Sequence, residues 1–121
     1  MEKRVLIVDD TPSLRQIIGL VLRKAGYTVV EGADGADGLS KLDGSEFHLI
    51  ISDINMPNMN GIEMIGEIKK MPEYKDVPIV MLTTEPSSEL KSQREALGVK
   101  LWMVKPFNPK LMLEAIKKII T

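Results

Sequence analysis

Short apolar runs alternate along the chain with stretches whose apolar residues recur at helical spacing. Val5-Leu6-Ile7-Val8 is continuously apolar and rich in β-branched residues, the pattern of a strand covered on both faces. Leu14, Ile17, Ile18, Val21, Leu22 and Ala25 then line one side of an amphipathic helix. Thr11 suits its N-cap, Pro12 its first turn and Gly26 its stop. Residues 27–31 read as a second strand, and residues 35–42 as a short, weaker helix. The unit then repeats. Leu49-Ile50-Ile51 is a strand, a Pro/Asn/Gly loop follows, and Ile62, Ile65 and Ile68 mark a helix. Residues 77–82 form a strand in which Pro78 fits only at the start or an edge. Residues 87–97 have helical propensity with only Leu90, Ala96 and Leu97 as apolar anchors, and Gly98 ends them. Residues 101–104 read as the fifth strand, and Asn108-Pro109 opens a last helix with Met112, Leu113, Ile116, Ile119 and Ile120 inward. Five such βα units predict an α/β fold, a doubly wound five-stranded parallel sheet with helices on both sides.

Composition narrows the class. With 121 residues the chain fits a single domain spanning 1–121 and can hold a core without metal or disulfide staples. Its 44% apolar and 27% charged residues are those of an ordinary globular protein. Sixteen Lys and Arg against 17 Asp and Glu give a net charge of −1, no electrostatic footprint for nucleic acid. The longest uncharged stretch, residues 54–62, is far shorter than the roughly 20 residues of a membrane span. The opening residues lack the apolar core of a signal peptide. The absence of Cys excludes disulfides, thiolate metal sites and Cys nucleophiles together. These features lead us to expect a cytoplasmic monomer that binds neither nucleic acid nor membrane.

The candidate chemistry lies at the strand ends. The first strand runs into Asp9-Asp10, the third into Asp53, the fourth into Thr83-Thr84 and the fifth into Lys105. In a parallel sheet these positions share the edge where open α/β proteins place ligands. Three ionised carboxylates gathered there repel one another by about 1 to 4 kcal/mol per pair at surface-like dielectric. A hard divalent cation relieves that repulsion, and an oxygen-only donor set selects Mg²⁺, or Mn²⁺, over Zn²⁺. The loop after Asp53 lacks the Gly and bidentate Glu of an EF-hand. With no Cys and no plausible His–Ser pair, Asp53 is the best nucleophile available, and a carboxylate can accept a phosphoryl group as an acyl phosphate. Gly32, Gly35 and Gly38 lack the Lys-Ser/Thr of a phosphate-binding loop and read as a turn. His48 reads as structural, and the eight Met residues mostly as core filling. Met56 and Met59 fall in the loop after Asp53, a place open to exposure and to contact with a partner.

Taken together, Val5-Leu6-Ile7-Val8-Asp9-Asp10, Asp53-Ile54-Asn55-Met56-Pro57, Asn60-Gly61 and Val104-Lys105-Pro106-Phe107 resemble the receiver domain of bacterial two-component response regulators. The resemblance covers essentially the whole chain and is strongest to the single-domain chemotaxis members of the family. It implies a flavodoxin-like (βα)5 sheet in the order 2-1-3-4-5. Asp53 would be the phosphoacceptor. Asp10 would bind Mg²⁺ directly, Asp9 largely through water, and the Asn55 backbone carbonyl would complete the protein ligands. Thr83 would donate its hydroxyl to the phosphoryl group, Lys105 would pair with it, and the Lys105–Pro106 peptide would be cis. Trp102, three positions before Lys105, would be the switch aromatic, where most relatives carry Tyr or Phe. Asn55 and Glu85 would tune attack by water on the acyl phosphate.

The resemblance further implies a phosphoacceptor protein, not an enzyme in the ordinary sense, that catalyses its own phosphorylation and dephosphorylation. Its partners would be a histidine kinase and either the flagellar motor switch or a histidine phosphotransfer domain, with a phosphatase possible. Residues 87–97 have the least apolar burial to hold them, so this helix, the fifth strand and the last helix form the expected output face. Two other classes fit less well. A phosphatase of the haloacid dehalogenase type also uses Asp and Mg²⁺, but its nucleophilic Asp stands two residues before a second Asp, whereas Asp9 and Asp10 are adjacent. A flavodoxin-like cofactor binder needs N–H groups and hydroxyls where this chain offers carboxylates.

Overall fold

The computed structural model of the chain describes residues 3–56, 59–83, 98–105 and 108–120. Its elements are β1 (Arg4–Val8), α1 (Pro12–Lys24), β2 (Thr28–Gly32), α2 (Gly35–Ser40), β3 (Leu49–Asp53), α3 (Gly61–Lys69), β4 (Ile79–Thr83), β5 (Leu101–Val104) and α4 (Pro109–Ile119). The five strands form one sheet in the order β2-β1-β3-β4-β5, and every pairing is parallel. The expected helix over residues 87–97 lies outside the described residues, as do Thr84, Glu85, Pro106 and Phe107.

Strand alternation divides the core into two layers. Leu6 and Val8 of β1 face a cluster with Ile50, Ile79, Met81 and the α3 residues Met64, Ile65 and Ile68. Val5 and Ile7 face the opposite cluster, with Leu49, Ile51, Val80 and Leu82, under Ile18 and Leu22 of α1 and Met112 and Ile116 of α4. Thus α1 and α4 cover one face, α2 and α3 the other. Each fully buried Leu, Ile or Met contributes roughly 1.5 to 3 kcal/mol. The three central strands β1, β3 and β4 carry most of that burial, whereas β2 and β5 are half-exposed edges.

Several boundaries differ from the sequence expectation for identifiable reasons. Gly26, at φ 98°, closes α1 by donating its N–H to Arg23, while the Tyr27 N–H reaches the Leu22 carbonyl. The Tyr27 amide is thereby used in ending the helix, so β2 begins at Thr28. The Val77 N–H is likewise occupied, donating to the Tyr74 carbonyl, and β4 begins only at Ile79, after Pro78. Thr11 stands at the N-cap of α1, but its side chain makes no capping bond. Ile17, expected inward, is half-exposed, because it stands about 100° around the helix from Ile18, which takes the buried direction. Ala25, the C-cap residue of α1, is exposed as well. Met56 is buried and Met59 packs against the α2–α3 core, so neither is the exposed loop residue that position suggested.

Two close backbone approaches hold the sheet edge. Asn60 caps α3 by accepting the Glu63 N–H while Glu63 accepts the Asn60 N–H, a reciprocal capping box. The next residue, Gly61, donates its N–H to the Ile54 carbonyl at 2.8 Å. A Cβ at Gly61 would lie 2.1 Å from the Asp53 backbone oxygen. Gly61→Ala therefore drives helix and strand apart, and we expect it to lose about 2 kcal/mol or more in urea denaturation. A midpoint and slope equal to those of the parent chain would refute this packing.

Candidate functional site

The strand order reverses direction between β1 and β3, and the site straddles that crevice. Asp9 follows β1 directly, Asp53 is the last residue of β3, and Lys105 follows β5. Side-chain oxygens of Asp9, Asp10 and Asp53 all lie within 4.8 Å of one another. Asp9 is fully buried, Asp53 nearly so, and Asp10 faces solvent. Lys105 Nζ reaches over both buried groups, 3.4 Å from Asp9 Oδ2 and 3.2 Å from Asp53 Oδ2.

Local bonds fix each carboxylate. Asp9 Oδ1 accepts the Thr11 N–H at 2.8 Å, and the Asp9 N–H donates to the Gly32 carbonyl at 3.1 Å. Asp53 Oδ1 accepts the Ile54 N–H at 2.8 Å. Burial pushes the Asp53 carboxyl above the usual Asp range; Lys105 pulls it down, and the neighbouring Asp9 charge pushes it up again. The net direction is upward. One ammonium does not neutralise the group.

Thr83 and Trp102 lie on β4 and β5. Thr83 ends β4, is buried, and its carbonyl accepts the Lys105 N–H at 2.7 Å. Trp102 pairs in register with Met81 and packs against the α2–α3 core, so it shares a sheet face with Thr83, one step along the strands. Asn55 lies two residues beyond β3 and is exposed. Glu85 lies outside the described residues. The fold therefore gathers Asp9, Asp10 and Asp53, sets Lys105 on the two buried carboxylates, and places Thr83 and Trp102 on one sheet face.

Contacts that sequence reasoning missed include Arg15, whose Nη1 donates to the Asp9 carbonyl at 2.6 Å. It sits on the polar side of α1, where nothing in the pattern separates it from a solvated charge. The donor set itself fits a hard divalent cation: three carboxylates, two of them buried, no imidazole and no thiolate.

A parallel sheet in this order, with three acids and a lysine at its carboxyl edge, is the architecture of a receiver. The chain belongs to the response regulator receiver domain family, whose family model matches residues 5–117. It is similar to single-domain chemotaxis receivers of the CheY type. It is 33% identical over 119 residues to chemotaxis protein CheY1 of Helicobacter pylori, covering 97% of this chain and 96% of that one. It is 34% identical over 117 residues to chemotaxis protein CheY of Pseudomonas aeruginosa, covering 96% and 94%. Among solved structures, Vibrio cholerae CheY4 superimposes with a TM-score of 0.93 at 43% identity, covering 98% of this chain and 99% of that one.

The raised Asp53 carboxyl has a stability consequence. A native state that holds a proton more tightly than the unfolded chain loses stability as pH rises. The loss falls in the window between the ordinary value of 3.8 and the raised native one. In metal-free buffer at pH 7, Asp53→Asn should therefore be more stable to unfolding than the parent, by on the order of 1 kcal/mol, the scale of one screened like-charge contact. The advantage should vanish at pH values below the window, and Mg²⁺ should raise the parent's midpoint more than the variant's. A variant less stable than the parent across the whole pH range would overturn this account.

Proposed function

We propose that the chain is a phosphorylation-activated signalling switch of a bacterial two-component system, acting in chemotaxis. The observation that carries this reading is the Asp53 carboxylate, nearly buried at the end of β3, with Lys105 Nζ at 3.2 Å and two further carboxylates beside it. Asp9, Asp10, Asp53 and the Asn55 backbone carbonyl would hold Mg²⁺. Bound there, the cation would offset the crowded carboxylates and the charge on the incoming phosphoryl oxygens.

The chain's own residues then have separate tasks. An Asp53 carboxylate oxygen attacks phosphorus of the donor kinase's phosphohistidine; the P–N bond breaks, and the imidazole leaves with the electron pair and takes up a proton. Lys105 exchanges its Asp53 contact for the new phosphoryl oxygens. Thr83 donates its hydroxyl to the same group, which adds roughly −1.5 to −2 charges. That shift alters the space beside Trp102 on the shared sheet face, and so the output surface. Asn55 and Glu85 govern attack by water on the acyl phosphate, giving faster self-dephosphorylation than in slow transcriptional receivers.

The output surface would comprise residues 87–97, β5 and α4. Val104 on β5 and Leu111 on α4 are large apolar side chains left 41% and 61% exposed, which supports a docking role for these elements. The similarity to chemotaxis proteins favours the flagellar motor switch as target over a histidine phosphotransfer domain. We further propose that the chain acts in the cytoplasm as a monomer; no helix among the described residues is long and apolar enough to cross a membrane.

Incubation with acetyl phosphate and Mg²⁺, followed by intact mass measurement, should reveal one acid-stable, base-labile phosphoryl adduct. Asp53→Asn should abolish it, and omission of Mg²⁺ should reduce it at least about tenfold, the scale of losing one electrostatic stabiliser. An adduct that persists in Asp53→Asn would overturn the mechanism.

A further inference from the structure

Arg15 has no part in the roles proposed above, yet it grips the acidic loop at its central peptide. Its Nη1 donates to the Asp9 carbonyl at 2.6 Å, and its Nε donates to Glu31 Oε1 at 3.2 Å. Glu31, next to last in β2, is held from its other oxygen by Arg23 Nη2 at 3.1 Å. The Asp9 residue is thus fastened through four bonds: its N–H to Gly32, its carboxylate from Thr11 and Lys105, and its carbonyl from Arg15. Asp10 is in a different position. It is exposed, and its direction follows from the plane of the Asp9–Asp10 peptide, whose carbonyl is the one Arg15 holds.

We propose that Arg15, braced by Glu31, is a positioning residue for divalent-cation binding: it fixes the peptide that aims the Asp10 carboxylate into the pocket shared with Asp9 and Asp53. This inference rests on the Mg²⁺ site proposed above. Charge alone argues for the opposite effect, because a guanidinium this close to the pocket repels a cation. Glu31 offsets that charge at 3.2 Å while leaving the geometry of the clamp intact. Removal of the guanidinium therefore separates the two roles by sign. If Arg15 acts only as a charge, cation affinity rises when it is removed; if it positions Asp10, affinity falls.

The test is calorimetric titration of Mg²⁺ into the full chain at fixed ionic strength, with thermal melts in EDTA to confirm folding. Supporting groups behind metal ligands typically account for about 10- to 100-fold in affinity. We expect Arg15→Ala to raise the Mg²⁺ Kd about tenfold and Glu31→Gln to raise it by a smaller factor. Arg15→Lys, which can still donate to the Asp9 carbonyl, should recover part of the loss. Arg23→Ala, which cuts only the outer brace, should stay within about twofold of the parent. An unchanged or lowered Kd in Arg15→Ala overturns the proposal. Should that variant fail to fold, an unchanged or lowered Kd in Glu31→Gln overturns it instead. A parent chain that binds no Mg²⁺ overturns the metal site and this role together, whereas intact parent binding with unaltered variants overturns this role alone.

Discussion

Three carboxylates share one edge of the sheet, and among the described residues a single ammonium answers them. Asp9 has no exposed surface and Asp53 almost none, so each would be strongly disfavoured as an anion without a close partner. Lys105 serves both, at 3.4 and 3.2 Å, which ties the sites at the ends of β1 and β3 to the strand at the far edge of the sheet. The acidic pocket is therefore complete only when β5 has paired with β4. Its remaining negative charge makes it receptive to a cation, and the same imbalance means that any group added to Asp53 must rearrange Lys105.

The surrounding backbone keeps these charges in place. The start of α3 rests directly on the end of β3: the Gly61 N–H meets the Ile54 carbonyl, and only a residue without Cβ tolerates the Asp53 oxygen alongside it. On the other side of the crevice, Gly38 of α2 packs so closely on Val8 that a Cβ there would lie 2.7 Å from the Val8 side chain. Both contacts belong to the α2–α3 face, and Thr83 and Trp102 lie on that same face. A change at Asp53 is thus felt first by closely packed, poorly compressible neighbours, the condition under which a small local shift produces a discrete response.

Much of this was legible in the chain. The continuous apolar runs at residues 5–8 and 49–51 and the helical spacing from Leu14 to Leu22 report burial, and burial has a period that primary structure carries openly. Asp9, Asp10, Asp53 and Lys105 were legible for a second reason: in a parallel sheet, residues that end strands must share an edge. The less reliable features depended on local competition for hydrogen bonds. Tyr27 reads as strand but spends its amide on closing α1, and Thr11 reads as a cap yet its side chain makes no capping bond, while its own N–H donates to Asp9. Ile17 and Met56 were misplaced because apolar character does not tell which of two adjacent directions a packed neighbour will fill.

The βα alternation, the two-sided core and the residue types that arrive at the strand ends are all written in the order of the residues. These follow from periodicity and connectivity, which are properties of the chain in order. Only folding in three dimensions lets Lys105 bridge Asp9 and Asp53, seals Asp9 while Asp10 faces solvent, and brings Arg15, itself bonded to Glu31, onto the peptide between those two acids. Those are distances between residues as far as 96 positions apart. They are set by strand register and side-chain packing, for which no local pattern in the chain provides a signal.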